Sequence, residues 1–169
     1  MNREVHKLLV EQVNKEFYSS YLYLDMFSFY SGKTLNGFAN WFHVQAQEER
    51  DHAMLFVQYL LNNGEEVTFE AIGKPEYTYQ AFGDPLNRSL AHEKLVTASI
   101  HNIYDKAYAD RDYRTMQFLD WFVKEQGEEE KNADELIRKY ELFGDDPKSL
   151  YLMDGELATR VYAPPSLVL

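Results

Sequence analysis

The sequence predicts an all-α protein: a four-helix bundle with one long crossover between its second and third helices, plus a short C-terminal fifth helix. Three observations carry this. Apolar residues recur at helical spacing through most of the 169 residues. Helix-stopping Gly and Pro gather at only a few points along the chain. The links they mark are short, long, then short, which makes two antiparallel helix pairs joined by a crossover.

Each element follows from these signals. The first helix runs over about 3–31 and stops at Ser31-Gly32. The second, about 35–63, starts near Thr34 or Asn36 and ends before Gly64, a residue type suited to the position after a helix C-terminus. Residues 64–84, GEEVTFEAIGKPEYTYQAFGD, break the periodicity. Asp84-Pro85 then starts a third helix, about 85–112, as a cap followed by proline at the first helical position. The fourth, about 114–143, follows almost at once and stops at Gly144. Asp146-Pro147 opens the fifth, about 147–155, and VYAPPSLVL is an extended tail. A linker of about 21 residues can span up to ~70 Å. A 28-residue helix is only ~42 Å long, so the crossover can pass the whole bundle and set the third helix parallel to the second. No linker separates domains, so residues 1–169 form one.

Composition narrows the function. Net charge is −11, which argues against a general nucleic-acid binder and suits cation handling. There are no cysteines, so disulfides, thiolate metal sites and cysteine nucleophiles are excluded. The N-terminus lacks the pattern of a signal peptide, and no apolar run approaches the ~20 residues that cross a bilayer. A cytoplasmic protein with no membrane partner is the expectation.

The informative feature is a carboxylate in the middle of every apolar stripe. At 100° per residue, the first helix aligns Val5, Leu9, Val13, Glu16, Ser20, Tyr23 and Phe27. The second aligns Phe38, Phe42, Ala46, Glu49, Ala53, Phe56 and Leu60. The third aligns Leu86, Glu93, Val96, Ile100, Tyr104 and Ala107, and the fourth Phe118, Phe122, Glu129, Ala133, Leu136 and Tyr140. Counted from the two tight turns, Glu16, Glu49, Glu93 and Glu129 fall at one level to within about one helical turn.

Burying one unpaired carboxylate is strongly unfavourable, and four together repel one another. They must be protonated, paired with buried bases, or bound to cations. No Lys or Arg lies on these stripes, so multivalent metal binding accounts for the set most economically. The neighbours agree. Glu49 and His52, spaced i, i+3, can reach one ion from one face. Gln126 and Glu129 repeat that spacing. The di-iron bundle pattern is one Glu from each of two helices plus Glu-x-x-His from each of the other two. Here the second pair is Gln-x-x-Glu. One ion would take Glu16, Glu49 and His52. A second would take Glu49 as a bridge with Glu93 and Glu129, with Gln126 beside them. Oxygen ligation with a single imidazole suits iron better than structural zinc. His6, His43, His92 and His101 lack convergent partners and read as surface or packing residues.

NKEFYSSYLYLDM, GFANWFHVQAQEERDHAMLF, AHEKL and FLDWFVKEQGEEEKN resemble the non-haem bacterial ferritins, over about residues 1–155. Bacterioferritins resemble the architecture too. They carry a second Glu-x-x-His where this chain has Gln126-Gly127-Glu128-Glu129, and a haem-ligating methionine where it has Arg50. No haem is therefore expected, although related shells that bind haem between subunits draw attention to Met54. Rubrerythrins need a Cys₄ centre, which this chain lacks. The resemblance implies a ferritin-like fold, a shell of 24 identical subunits, and ferroxidase chemistry. Fe(II) would be oxidised by O2 or H2O2 and stored inside as Fe(III) mineral. Glu16, Glu49, His52, Glu93, Gln126 and Glu129 match the ferroxidase ligands. Glu48, Glu125, Glu128 and Glu129 match a third iron site facing the interior, and Tyr23 a tyrosine that donates an electron. Met116 and Leu119 stand where animal ferritins carry pore acids, so the route by which iron enters is open. Two rivals fit the same bundle: a di-iron oxygenase or peroxidase that stores nothing, and a helical interaction module whose inner acids are protonated.

Overall fold

The computed structural model describes residues 1–169 and contains five helices and no strands: α1 (Arg3–Ser31), α2 (Asn36–Asn62), α3 (Asp84–Ala109), α4 (Tyr113–Phe143) and α5 (Pro147–Leu157). Side-chain contacts fix their directions. Ser20 donates to the Ala46 carbonyl, Ser19 meets His92, Tyr59 meets Thr115, and Thr97 donates to Glu130. Each of these pairs is antiparallel, so α2 and α3 are parallel. The crossover follows α1 from end to end. His6 bonds the Glu66 carbonyl and Asn14 that of Glu70, Gly73 lies against Tyr18, and Tyr30 donates to the Phe82 carbonyl.

The first helix ends at Ser31 as expected, and the other helix boundaries shift by no more than three residues, for local reasons. Gly32 keeps right-handed helical φ, −65°, and the left-handed residue is Thr34, at φ 58°. The Thr34 and Leu35 amides donate to the Ser31 and Tyr30 carbonyls, which closes a Schellman motif. At the end of α2, Gly64 takes φ 72°, and the Gly64 and Glu65 amides bond the Leu61 and Leu60 carbonyls. The third helix ends at Ala109, not 112, because Arg111 turns left-handed, at φ 55°. The freed Asp112 carboxylate then caps α4 through the Thr115 amide, at 3.2 Å. The fifth helix continues two residues past Gly155, to Leu157.

The N-terminus of α2 is capped from far away in sequence. Leu35 offers no side-chain cap. Asp154 of α5 accepts from the Gly37 and Phe38 amides instead, at 2.8 and 3.0 Å. A Cβ on Gly37 would fall 1.7 Å from the Asp154 carbonyl oxygen, so only glycine lets α5 dock there. Asp154→Ala is expected to cost about 1 kcal/mol in chemical denaturation. Gly37→Ala should cost more, because a backbone atom must move.

The interior contains two apolar clusters. One joins Val5, Leu9, Val13, Phe56, Leu60, Ile100, Phe118 and Phe122. The other joins Leu22, Met26, Tyr30, Phe38, Phe42, Leu86 and Leu136, with Met153 and Leu157 of α5. Between them lies a buried polar waist.

The buried positions follow a tighter period than the sequence stripes. In α1 they include 5, 9, 12, 16, 19, 23, 26 and 30, and in α2 38, 42, 45, 49, 52, 56 and 59. Steps alternate four and three, a 3.5-residue repeat, as in helices packed at a shallow left-handed crossing. Ser20, Phe27, Tyr104, Ala133 and Tyr140 therefore move to the half-buried flanks, while Ser19, Met26, Tyr30 and Ile103 move inside.

Candidate metal centre

All four stripe glutamates reach the waist. Glu16 is 1% exposed, Glu49 1%, Glu93 2% and Glu129 7%, and His52 and Gln126 are buried with them. Ligand-type atoms of Glu16, Glu49 and His52 lie within 4.8 Å of one another. His52 Nδ1 is 3.3 Å from Glu49 Oε2. Glu93 and Glu129 stand outside that tightest group but are tied into the same network. Tyr23 donates to Glu93 Oε1, and Gln126 Nε2 donates to Glu93 Oε2, at 3.1 Å. Gln45 Nε2 donates to Glu49 Oε1 and Glu129 Oε2, at 3.0 and 2.9 Å.

The electrostatics show the strain of this gathering. Burial, and then the charge of Glu49, push Glu16 up to about 8 and Glu129 up to about 7. Burial followed by the charges of Glu49 and Glu129 holds Glu93 well above the ordinary carboxyl value. Burial also opposes ionisation of Glu49, but the charge and hydrogen bond of His52 and the Gln45 amide outweigh it, and its pKa falls. Burial alone would lower His52. The Glu49 charge and hydrogen bond, with Glu16, raise it to about 10. Without metal the centre favours one ion pair, Glu49⁻–His52⁺, beside carboxyls whose protons burial and the Glu49 charge hold more tightly than usual. Glu16 Oε2 is buried with no hydrogen-bond partner. A carboxylate oxygen orphaned beside two more ligand groups fits a cation, which would take the place of those protons.

Gln12 and Gln45 do not fall on the sequence stripes. Both precede a centre glutamate by four residues on the same face, and both donate to it: Gln12 Nε2 to Glu16 Oε1, at 2.8 Å, and Gln45 to Glu49. Gln-x-x-x-Glu, present in both α1 and α2, was the signal available. Arg160 of the tail was also invisible, because its contacts are with residues more than 110 positions away.

The remaining acids line one groove on the α2–α4 face. Glu48, Glu125, Glu128, Glu129 and His52 share it with tail residues 163–166. Glu48 is paired with Arg160, and exposed Glu128 lies 3.6 Å from Lys124. His92 is buried, pushed down to about 4 by burial, and bonds Ser19 at 2.7 Å. His43 packs on the Phe27 ring, and Met54 is exposed.

Fold and waist together define a four-helix carboxylate bundle of the kind that holds metal ions in its core. The comparisons name the family. The profile of the Ferritin-like domain matches residues 6–143. A bacterial non-heme ferritin of Staphylococcus saprophyticus is 38% identical over 162 residues, covering 96% of this chain and 97% of its own. One from Campylobacter jejuni is 35% identical, covering 91% and 92%. An Archaeoglobus fulgidus ferritin engineered into a closed form superposes with a TM-score of 0.94 at 35% identity, covering 96% of this chain and 99% of its own. The chain belongs to the ferritin family. No helix is long and apolar enough to cross a membrane.

Proposed function

We propose that the protein stores iron and oxidises it on the way in. The observation that carries this reading is the buried cluster of Glu16, Glu49 and His52, with its orphaned carboxylate oxygen. One Fe(II) binds Glu16, Glu49 and His52. A second binds Glu93 and Glu129, with Glu49 as the bridge and Gln126 alongside. Hard anionic oxygens favour Fe(III) over Fe(II), so this ligand set promotes electron loss. Each Fe(II) gives up one electron, and O2 takes both with two protons to leave H2O2. With H2O2 as oxidant, two electrons and two protons leave two waters. His52 and the neutral carboxyls release their protons as the metal enters. A centre with one imidazole and several carboxylates lets its product go, which suits turnover and storage.

Glu48, Glu125, Glu128 and Glu129 form a third iron site, and a 24-subunit shell of this chain in the cytoplasm encloses the Fe(III) mineral. The likeness to bacterial ferritins supports these readings. Tyr23 supplies an electron when needed, and its phenol, held by Glu93 and pushed up by burial, stays protonated in the resting centre. Tyr23→Phe is expected to keep the number of metal ions bound while slowing oxidation about 10-fold, an effect typical of a lost supporting contact.

The deciding experiment is anaerobic Fe(II) loading of crystals with anomalous scattering at the iron edge, paired with aerobic loading followed by particle size and iron per subunit. A pair of irons on the named ligands and a large iron-filled shell are expected. A small oligomer holding two or three irons per chain would favour a di-iron oxygenase or peroxidase. No Fe(II) binding would favour a bundle with protonated acids.

A further inference from the structure

The tail after α5 runs back along α2, and its one cation lies between the metal centre and the acidic groove. Arg160 Nη2 donates to Glu48 Oε2 at 2.5 Å and to Gln45 Oε1 at 2.9 Å. Nη1 donates to the Trp41 carbonyl at 3.2 Å, and the guanidinium sits 4.2 Å over the Trp41 ring. The side chain is 17% exposed and that of Glu48 19%. Asn40 donates to the Arg160 carbonyl at 2.9 Å, Tyr162 to Asp51, and Trp121 to Ser166 at 3.0 Å, which pins the tail on both sides of the arginine. Arg160 is the only Lys or Arg lining the groove.

The chemistry of the contacts fixes the Gln45 amide. A guanidinium only donates, so Gln45 must turn its oxygen to Arg160. Its nitrogen then faces Glu49 and Glu129, whose carboxyl oxygens accept. One arginine thereby sets the orientation of the group that spans two acids of the centre. The same guanidinium neutralises Glu48, an acid of the groove.

We propose that Arg160 is the positioning residue for Gln45 and the resident cation of Glu48, so that a metal ion binding Glu48 must displace Arg160 and thereby frees the amide bridging Glu49 and Glu129. The inference rests on the reading of these acids as metal ligands. It makes the groove and the centre communicate: filling the first loosens a support of the second. An ion that has left the centre for the groove would favour emptying of the site behind it.

The test is anaerobic calorimetric titration of the assembled protein with Co(II), a redox-stable stand-in for Fe(II), alongside thermal melting. Wild type should bind two ions per chain tightly and a third weakly. Arg160→Gln should tighten the weak class about three- to tenfold, the size of one partly exposed charge interaction, and weaken the tight pair by a similar factor. Arg160→Lys should return the weak class towards wild type, since it restores the charge at Glu48. Gln45→Leu should weaken the pair without tightening the weak class, since the Arg160 charge stays at Glu48. In Glu48→Gln/Arg160→Gln the tightened class should vanish. Changes of opposite sign cannot come from general loosening of the fold. Both classes unchanged, or both weakened together, in Arg160→Gln would overturn the proposal while wild-type binding stood. Absence of any tight Co(II) binding in wild type would overturn the metal-centre reading first, and this inference with it.

Discussion

Glu49→Ala is expected to remove the fast phase of Fe(II) oxidation, slowing it by about 100-fold or more, at least the upper range for lost supporting contacts at metal sites. Glu49 contacts more of the centre than any other acid. It lies beside Glu16 and His52, accepts from Gln45, and is the one carboxyl of the centre whose pKa falls. Removing it would take the proposed bridging ligand from both ions at once, and it removes the partner that keeps His52 charged. The bundle should survive. Phe42 and Phe38 on one side of the waist and Phe56 and Phe122 on the other are packed independently of Glu49. Once its partner is gone, the buried His52 sheds its proton rather than staying as an unpaired charge. Stopped-flow mixing with Fe(II) in air, with particle size measured on the same sample, separates the two effects. His52→Ala should behave alike at the first ion and spare the second. Retained fast oxidation in both variants would mean that the centre lies elsewhere.

The acids were legible in the sequence because a charge on an apolar stripe violates the pattern around it. Glu16, Glu49, Glu93 and Glu129 announce themselves in this way, and His52 follows by its spacing from Glu49. What supports them was less visible. An ideal period of 3.6 residues per turn places Val13, Ala46 and Ala53 inside with the acids, where they are buried, but pushes Gln12 and Gln45 off the stripe. The bundle follows a 3.5-residue repeat, which brings both glutamines, with Ser19 and His52, to the interior. Over a helix of 29 residues that small difference turns one end of the stripe by most of a flank. Phe27 is thus half-buried and Met26 and Tyr30 fully buried.

Helix starts with a cap in sequence, such as Asp146, were readable, since the cap and the capped amide are neighbours. The start of α2 was placed correctly, near Asn36, but what caps it was not readable. Its cap is Asp154, more than 110 residues away, and no local signal announces it. Arg111 occupies a left-handed position where glycine is the usual cue, so the end of α3 was displaced by three residues, while α1 ended at Ser31 as expected although Thr34, not a glycine, turns left-handed there. Arg160 combines these difficulties, being a cation on an extended tail that touches α2 only after the whole chain has folded.

Without metal, the protein should become less stable as pH rises from about 5 to 8, against the common trend for proteins whose carboxylates are paired. Glu16 moves from 4.5 to about 8 and Glu129 from 4.5 to about 7, by burial first and then by the charge of Glu49. A group whose folded pKa lies above its unfolded value binds its proton more tightly in the fold. Its contribution is complete below the unfolded value and disappears as pH rises through the folded one. His52, raised from 6.5 to about 10, acts in the same direction at higher pH. Glu49, whose pKa falls, contributes above its unfolded value and loses that contribution only on the acid side of 4.5. Glu93, also held up by burial and then by Glu49 and Glu129, acts in the same direction, so between pH 5 and 8 the raised carboxyls of the centre dominate. In chelator the melting temperature should fall by about 5 °C or more over that interval, the shift a change of one to two kcal/mol gives a chain of this length. Bound Co(II) should reverse the slope, because the ion and the proton compete for the same oxygens and the ion wins as pH rises. Glu16→Gln controls for the general repulsion of a chain with net charge −11. It removes one of the raised titrations while changing surface charge little, so its slope in chelator should be shallower. A slope equally steep in Glu16→Gln, or a chelated melting temperature that is flat from pH 5 to 8, would mean that the waist carries ionised acids without metal. The argument that cations make their burial tolerable would then fail.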